Sequence, residues 1–164
     1  MPSPNAGMHA PNSVMTTAHY IELGILYAKE GRYHDAYKPL RQALMSYGEQ
    51  NVKDVPFILL SYYGLCLVAL EREVDRGLGF CRRAVDQDGH LADFYVNLGK
   101  AYLLLHRKPQ AIATFEQGLE IDDDPRLSAE LTKLGIRHHP IIPFLSRRHA
   151  LNRFLGRWRA RRRS

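Results

Sequence analysis

The stretch Tyr95–Leu119, YVNLGKAYLLLHRKPQAIATFEQGL, contains the pattern that decides the fold. Its apolar residues recur at steps of three and four, which is the period of an α-helix. Gly99 lies inside a segment that this period predicts to be helical. Because glycine inside a helix costs about 0.5–1 kcal/mol relative to alanine, we expect Gly99 to be present for a packing reason.

Two earlier segments repeat this pattern, YIELGILYAKEGRYHDAYKPLRQAL at 20–44 and LSYYGLCLVALEREVDRGLGFCRRAV at 60–85. In each copy a glycine precedes an apolar or aromatic residue by three positions, and small residues follow further along. Two antiparallel helices can approach closely only where small residues lie at their crossing. The sequence therefore predicts three repeated helical units, and their repeat-packing residues are Gly24, Ala36, Gly64, Gly77, Gly99 and Ala111.

Over residues 16–137 the chain resembles the tetratricopeptide repeat family. The third copy carries the resemblance best, and the second departs from it at Tyr63, Gly77 and Cys81. The resemblance implies an all-α solenoid of helical hairpins that forms a right-handed superhelix, with repeats at about 17–50, 57–90 and 92–125. A capping helix at 126–137, in which Leu131, Leu134 and Gly135 echo the first helix of another repeat, would end the stack.

In this family the first helices of successive repeats line a concave groove that binds peptides. The resemblance places these residues in the groove: Ile21, Ile25, Lys29, Ile58, Ser61, Leu65, Val68, Asp93, Val96, Lys100 and Leu103, with Ala18 at its start.

The co-chaperone branch of the family binds a terminal carboxylate with Lys, Asn and Arg. The corresponding positions here hold Ile21, Ile25, Tyr62, Asp93 and Asn97, so we do not expect a carboxylate clamp. The groove is instead mainly apolar and suits an extended segment or an amphipathic helix, unless its aliphatic side chains pack on neighbouring helices or on the chain's own PIIPFL segment.

No set of residues in the sequence has the spacing of a catalytic or metal site. His138–His139 have no carboxylate or cysteine at ligand spacing. Asp122–Asp124 lack the alternating ligands and glycine of a calcium loop and are typical of helix capping. Cys66 and Cys81 form no CxxC motif, and we interpret them as reduced core residues. We therefore predict a protein that is not an enzyme and that needs no cofactor or metal.

The composition is that of an ordinary globular chain, with 45% hydrophobic and 24% charged residues among 164. The N-terminal residues 1–15, rich in Pro, Asn and Ser, are predicted to be a disordered leader and not a secretory signal. The longest uncharged run, Val55–Leu70, is shorter than the roughly 20 residues that cross a bilayer. It is predicted to be a helix buried on several sides.

Residues 138–164 are predicted to be a Pro-containing linker followed by a basic amphipathic helix. Residues 137–164 contain nine arginines and no acid, whereas the rest of the chain has 14 basic against 17 acidic residues. The basic tail comprises Arg147, Arg148, Arg153, Arg157, Arg159, Arg161, Arg162 and Arg163, and an apolar stripe comprises Leu151, Phe154, Leu155 and Trp158. The helix that carries this stripe could dock on the repeat stack, lie on an anionic membrane or bind nucleic acid. We favour docking, with the arginines facing an acidic protein or anionic lipid.

The sequence therefore predicts a non-enzymatic adaptor or scaffold that binds a protein or peptide partner in its groove and uses a basic C-terminal arm. A membrane-surface binder, a non-specific nucleic-acid binder and a secretion-type chaperone are the alternatives. Sequence-specific recognition of nucleic acid is not expected, because only Trp158 and Asn152 could read bases among the arginines. The predicted location is the cytoplasm, with a possible peripheral position at the membrane.

Overall fold

The computed structural model describes residues 15–48 and 54–136, and this part of the chain consists of helices without strands. The leader, the linker and the basic tail lie outside the described residues. The helices are α1 (Thr17–Lys29), α2 (Tyr33–Ser46), α3 (Phe57–Ala69), α4 (Val74–Gln87), α5 (Ala92–Leu104), α6 (Lys108–Ile121) and α7 (Pro125–Lys133).

The helices form three hairpins, α1–α2, α3–α4 and α5–α6, that stack in chain order with α7 at the end. Each helix packs on the next one along the chain, and α1, α3, α5 and α7 also pack on one another in sequence. Within the described residues the second helices α2, α4 and α6 make no such contacts with each other. The first helices are therefore closer together than the second helices, which places them on the inner, concave side of the stack.

Close approach within each hairpin depends on a glycine of the first helix. Gly64 and Gly77 face each other, and a Cβ added at Gly64 would lie 2.5 Å from the Gly77 carbonyl oxygen. The same addition at Gly24 would overlap the Leu40 side chain, and at Gly99 the Phe115 ring. Ala36 and Ala111 are fully buried. Small residues at these crossings let the two backbones, or a backbone and a large side chain, come into contact.

Helix α3 lies at the centre of the stack. All of its residues from Leu59 to Val68 are buried. One group of its side chains, including Leu60 and Leu67, belongs to a core cluster with α1 and α2. Leu65 and Val68 belong to a second cluster, which α4, α5, α6 and α7 complete. The uncharged run in the sequence is thus explained by burial on several sides, and none of the described helices is long and apolar enough to cross a membrane.

The same turn ends α1, α3, α5 and α7. At each end one residue adopts positive φ, namely Gly31, Glu71, His106 and Gly135. At α5, the His106 amide donates to the Leu103 carbonyl at 3.0 Å and the Arg107 amide donates to the Tyr102 carbonyl at 2.8 Å. The corresponding pair of hydrogen bonds occurs at the other three ends. These bonds satisfy carbonyl groups that have no partner within the helix.

His106→Gly is expected to stabilise the fold by about 1 kcal/mol. A left-handed conformation costs roughly 1–2 kcal/mol for a residue with a Cβ, and glycine removes this cost. Because glycine also makes the unfolded chain more flexible, part of the gain in stability is offset. His106 is exposed, so little packing is lost. Urea denaturation should show a higher midpoint for this variant. Gly31→Ala makes the reverse type of change at the corresponding position after α1 and should lower the midpoint. A lower midpoint for His106→Gly would contradict this account of the turn.

Candidate functional site

The inner surface of the stack carries seven of the predicted groove residues with part of their surface accessible. Lys29 is exposed and the others are intermediate between buried and exposed; the seven are Ile21, Ile25, Lys29, Ile58, Asp93, Lys100 and Leu103. They come from α1, α3 and α5, which pack on one another in order. The accessible surface therefore combines aliphatic side chains with both signs of charge.

The other four predicted groove residues, Ser61, Leu65, Val68 and Val96, are buried core residues. Leu65, which is 1% exposed, and Val68 lie in the core cluster that α3 shares with α4 and α5. The expectation that these four residues line an open groove is therefore wrong. Ser61, Leu65 and Val68 lie on α3, which is enclosed by its neighbours, and Val96 of α5 belongs to the same core cluster as Leu65. Beneath the surface the Asn97 amide donates to the Ser61 hydroxyl at 3.0 Å, which fixes α5 against α3.

A polar network crosses the inner surface and is centred on the carboxylate of Asp93 in α5. The Tyr62 hydroxyl of α3 donates a hydrogen bond to Asp93 Oδ1. Arg126 of α7 donates from Nη1 to the same oxygen at 2.8 Å. Lys29 of α1 places its ammonium group 3.5 Å from Asp93 Oδ1, and 5.9 Å from the centroid of the Tyr62 ring. One carboxylate therefore joins all four helices of the inner layer.

Arg126 is oriented independently of Asp93. Its Nη2 donates to Asp124 Oδ2 at 2.7 Å and its Nε donates to Asp124 Oδ1 at 3.0 Å. Asp124 is also the N-cap of α7, because its Oδ1 accepts the backbone amide of Arg126 at 2.8 Å. This capping role agrees with the interpretation of the Asp122–Asp124 run as helix-capping chemistry.

The electrostatics of the network favour its charged form. Burial raises the pKa of Asp93, but hydrogen bonds from Arg126 and Tyr62 and the nearby positive charges outweigh burial, so the net pKa lies below the ordinary value of 3.8. The hydrogen bonds from Arg126 lower the pKa of Asp124 as well. Burial raises the pKa of the Tyr62 hydroxyl, and its hydrogen bond to Asp93 adds to the effect. Tyr62 therefore remains a proton donor at neutral pH.

The positions that would form a carboxylate clamp have other roles in this chain. Ile21 and Ile25 are aliphatic, Tyr62 donates to an internal acid, and Asp93 is itself that acid. Asn97, the one compatible residue type, is 2% exposed and is engaged with Ser61. These placements give a structural reason for the expectation that such a clamp is absent.

Sequence reasoning identified Lys29 and Asp93 as groove residues but did not identify the network between them. Asp93 lies 31 residues from Tyr62 and 33 from Arg126, so no local pattern links them. A usable signal was present: Lys29 and Asp93 carry opposite charges on first helices of one stack, and Arg126 follows the proline that opens α7. Pairing charges across the inner layer would have suggested this contact.

The two cysteines of the described residues, Cys66 and Cys81, are both buried. Burial raises the pKa of the Cys66 thiol to about 12 and shifts that of Cys81 in the same direction. Both thiols therefore stay protonated at neutral pH and are poor nucleophiles. No group of three or more potential metal ligands occurs in residues 15–48 and 54–136. His138–His139, the basic tail and its apolar stripe lie outside the described residues, and their roles remain predictions.

Comparison with known proteins bears on the fold. A model of the tetratricopeptide repeat matches residues 92–125, which contain α5 and α6. No curated protein matches the chain. Among solved structures the chain is similar to the NMR structure of the first TPR domain of the human RPAP3 protein, with 20% identity and a TM-score of 0.54. This match covers 73% of the present chain and 89% of that one.

A second similar structure is the second TPR domain of human RPAP3, solved by NMR in complex with the HSP70 peptide SGPTIEEVD. It is 17% identical, with a TM-score of 0.51, and the match covers 74% of this chain and 100% of that one. The predicted all-α repeat solenoid is thus confirmed. The described residues therefore have the fold of a tetratricopeptide repeat domain.

Proposed function

We propose that this chain is a non-catalytic adaptor that binds an extended peptide segment of a protein partner along the inner surface of α1, α3 and α5. One observation carries the proposal. Partly exposed Ile21, Ile25 and Ile58 share the inner layer with a polar centre whose carboxylate is already paired. A surface of this kind can accept apolar side chains while its fixed polar groups orient the segment.

The comparison supports binding of a peptide in general. The second TPR domain of human RPAP3 was solved in complex with an HSP70 peptide, so a domain of similar fold can bind a peptide. The aliphatic residues at positions 21 and 25 indicate that the present chain prefers a different segment, one with apolar side chains opposite α1. Such side chains gain about 25 cal/mol for each Å² of apolar surface that binding removes from water.

The proposal is tested by selecting binders from a library of random peptides displayed on phage and measuring the affinity of the selected peptides by calorimetry. Ile25→Asp should weaken these peptides at least about tenfold, because a carboxylate replaces an apolar contact. Met45→Asp makes the same type of change at an exposed residue of α2 and should have no effect. Circular dichroism checks that both variants remain helical.

A library that yields no binder, or peptides that lose equal affinity with both variants, would contradict the proposed inner surface.

The basic tail belongs to the same proposal as an arm for an acidic partner. Its charge would increase the association rate at low salt and have less influence at high salt. The membrane-surface and nucleic-acid alternatives depend on the same arginines, and a cytoplasmic location stays a prediction.

A further inference from the structure

Three donors from three different helices converge on the carboxylate of Asp93. Lys29 at the end of α1 contributes a positive charge, Tyr62 of α3 contributes a hydroxyl, and Arg126 of α7 contributes a guanidinium group. None of these residues belongs to α5, which carries Asp93. Arginine and lysine form charge-assisted interactions with carboxylates, and a phenol adds one neutral donor, so the same three groups suit the carboxylate of another molecule.

Two of the three donors would keep their positions without Asp93. Arg126 is held by Asp124 through two separate nitrogen atoms. The Tyr62 side chain is 2% exposed and is fixed by the core around it. Lys29 is exposed at the edge of the network, and its ammonium group already lies 3.5 Å from Asp93 Oδ1. The donor set is therefore preorganised by the fold and does not depend on the acid that fills it.

We propose that Asp93 is an internal ligand of a carboxylate-binding site, and that its side chain decides which partner segments the inner surface accepts. With Asp93 present, an approaching carboxylate finds its donors occupied and meets a like charge, so the surface accepts segments that place an uncharged side chain at this point. Without it, the same donors bind a partner's carboxylate. This inference rests on the proposed function and specifies the chemistry of the partner.

The carboxylate-ended peptide SGPTIEEVD is a suitable probe, and its binding is measured by fluorescence anisotropy at low salt. The wild-type chain should bind it weakly or not at all. Asp93→Ala should bind it at least about tenfold more tightly, since charge-assisted hydrogen bonds become available to it. Asp123→Ala removes one exposed acid of the same type and therefore gives the same net charge. This control should bind like the wild type.

Two further measurements test Arg126 as a donor and the terminal carboxylate of the peptide as the acceptor. Adding Arg126→Ala to Asp93→Ala should remove the gain, and so should amidation of the C-terminus of the peptide. If Asp93→Ala fails to fold, Asp93→Asn keeps the size of the side chain while removing its charge, and it should show a smaller gain of the same sign.

Equal binding of the probe by the wild type and the folded position-93 variant would overturn the inference. A gain that Asp123→Ala reproduces would also overturn it, because net charge would then be the cause. A gain that survives amidation would overturn the assignment of the terminal carboxylate as the ligand. The expected result is a gain of binding to a defined peptide, so it can be interpreted even when the peptide library yields no binder for the wild-type surface.

Discussion

Gly64→Ala is expected to destabilise the fold by about 3 kcal/mol, a large value for the addition of one methyl group. The new Cβ would lie 2.5 Å from the Gly77 carbonyl oxygen and 3.0 Å from both Cys81 Sγ and Phe80 Cβ. A backbone oxygen in a helix cannot move aside as a side chain can. The two helices of the second hairpin would therefore have to separate, which would loosen the core on both faces of α3.

Gly79→Ala is the matched control, because Gly79 lies in α4 of the same hairpin and an added Cβ there meets no atom within 4 Å. It should stabilise the fold by about 0.5–1 kcal/mol, the ordinary preference of a helix for alanine over glycine. Urea denaturation of the two variants and the wild type measures both effects. A denaturation midpoint for Gly64→Ala equal to that of the wild type would refute the close approach of α3 and α4.

Leu65→Asp is expected to cost at least about 4 kcal/mol and to unfold much of the stack. The change removes a leucine that is 1% exposed and places a carboxylate in its apolar site. Loss of a buried leucine alone costs about 2–5 kcal/mol, and the charge must in addition be buried or the helix displaced. Because the free energy of unfolding of a native domain is about 5–15 kcal/mol, this change alone can remove most of the stability.

Ile25→Asp provides the contrast on α1. Ile25 retains accessible surface, so its aspartate can reach water and the helical content should stay close to that of the wild type. Thermal unfolding followed by circular dichroism distinguishes the two positions. If Leu65→Asp melted at the wild-type temperature, the burial of α3 described above would be incorrect. If Ile25→Asp also unfolded, Ile25 would belong to the core.

The fold was largely predictable from the sequence because its determinants are local and repeated. Gly24, Gly64 and Gly99 mark the three crossings, and the helical period places the apolar faces around them. The second hairpin departs from the repeat pattern at Tyr63, Gly77 and Cys81, and the structure gives a reason for the second of these. Gly77 faces Gly64 directly, whereas the first hairpin has Ala36 at the corresponding position.

The candidate site was less predictable, because accessibility depends on how the hairpins are stacked. The pattern of a single repeat shows which side of a first helix faces inward, and this identified Ile25 and Leu65 equally. It does not show how tightly α3 is enclosed between its neighbours, and this difference leaves Ile25 accessible and buries Leu65. The contacts of Asp93 depend on side chains from three other helices, which local spacing cannot reveal.

The position of α3 in both core clusters has a consequence for cooperativity. Repeat stacks can lose terminal units one at a time when each unit contacts only its neighbours. In this chain the first hairpin and the α5–α7 end both bury their apolar side chains against the hairpin that contains α3. Neither half keeps a complete core without it. Partial unfolding is therefore expected to begin at the ends, and loss of the central helix is expected to coincide with global unfolding, as in a single folding unit.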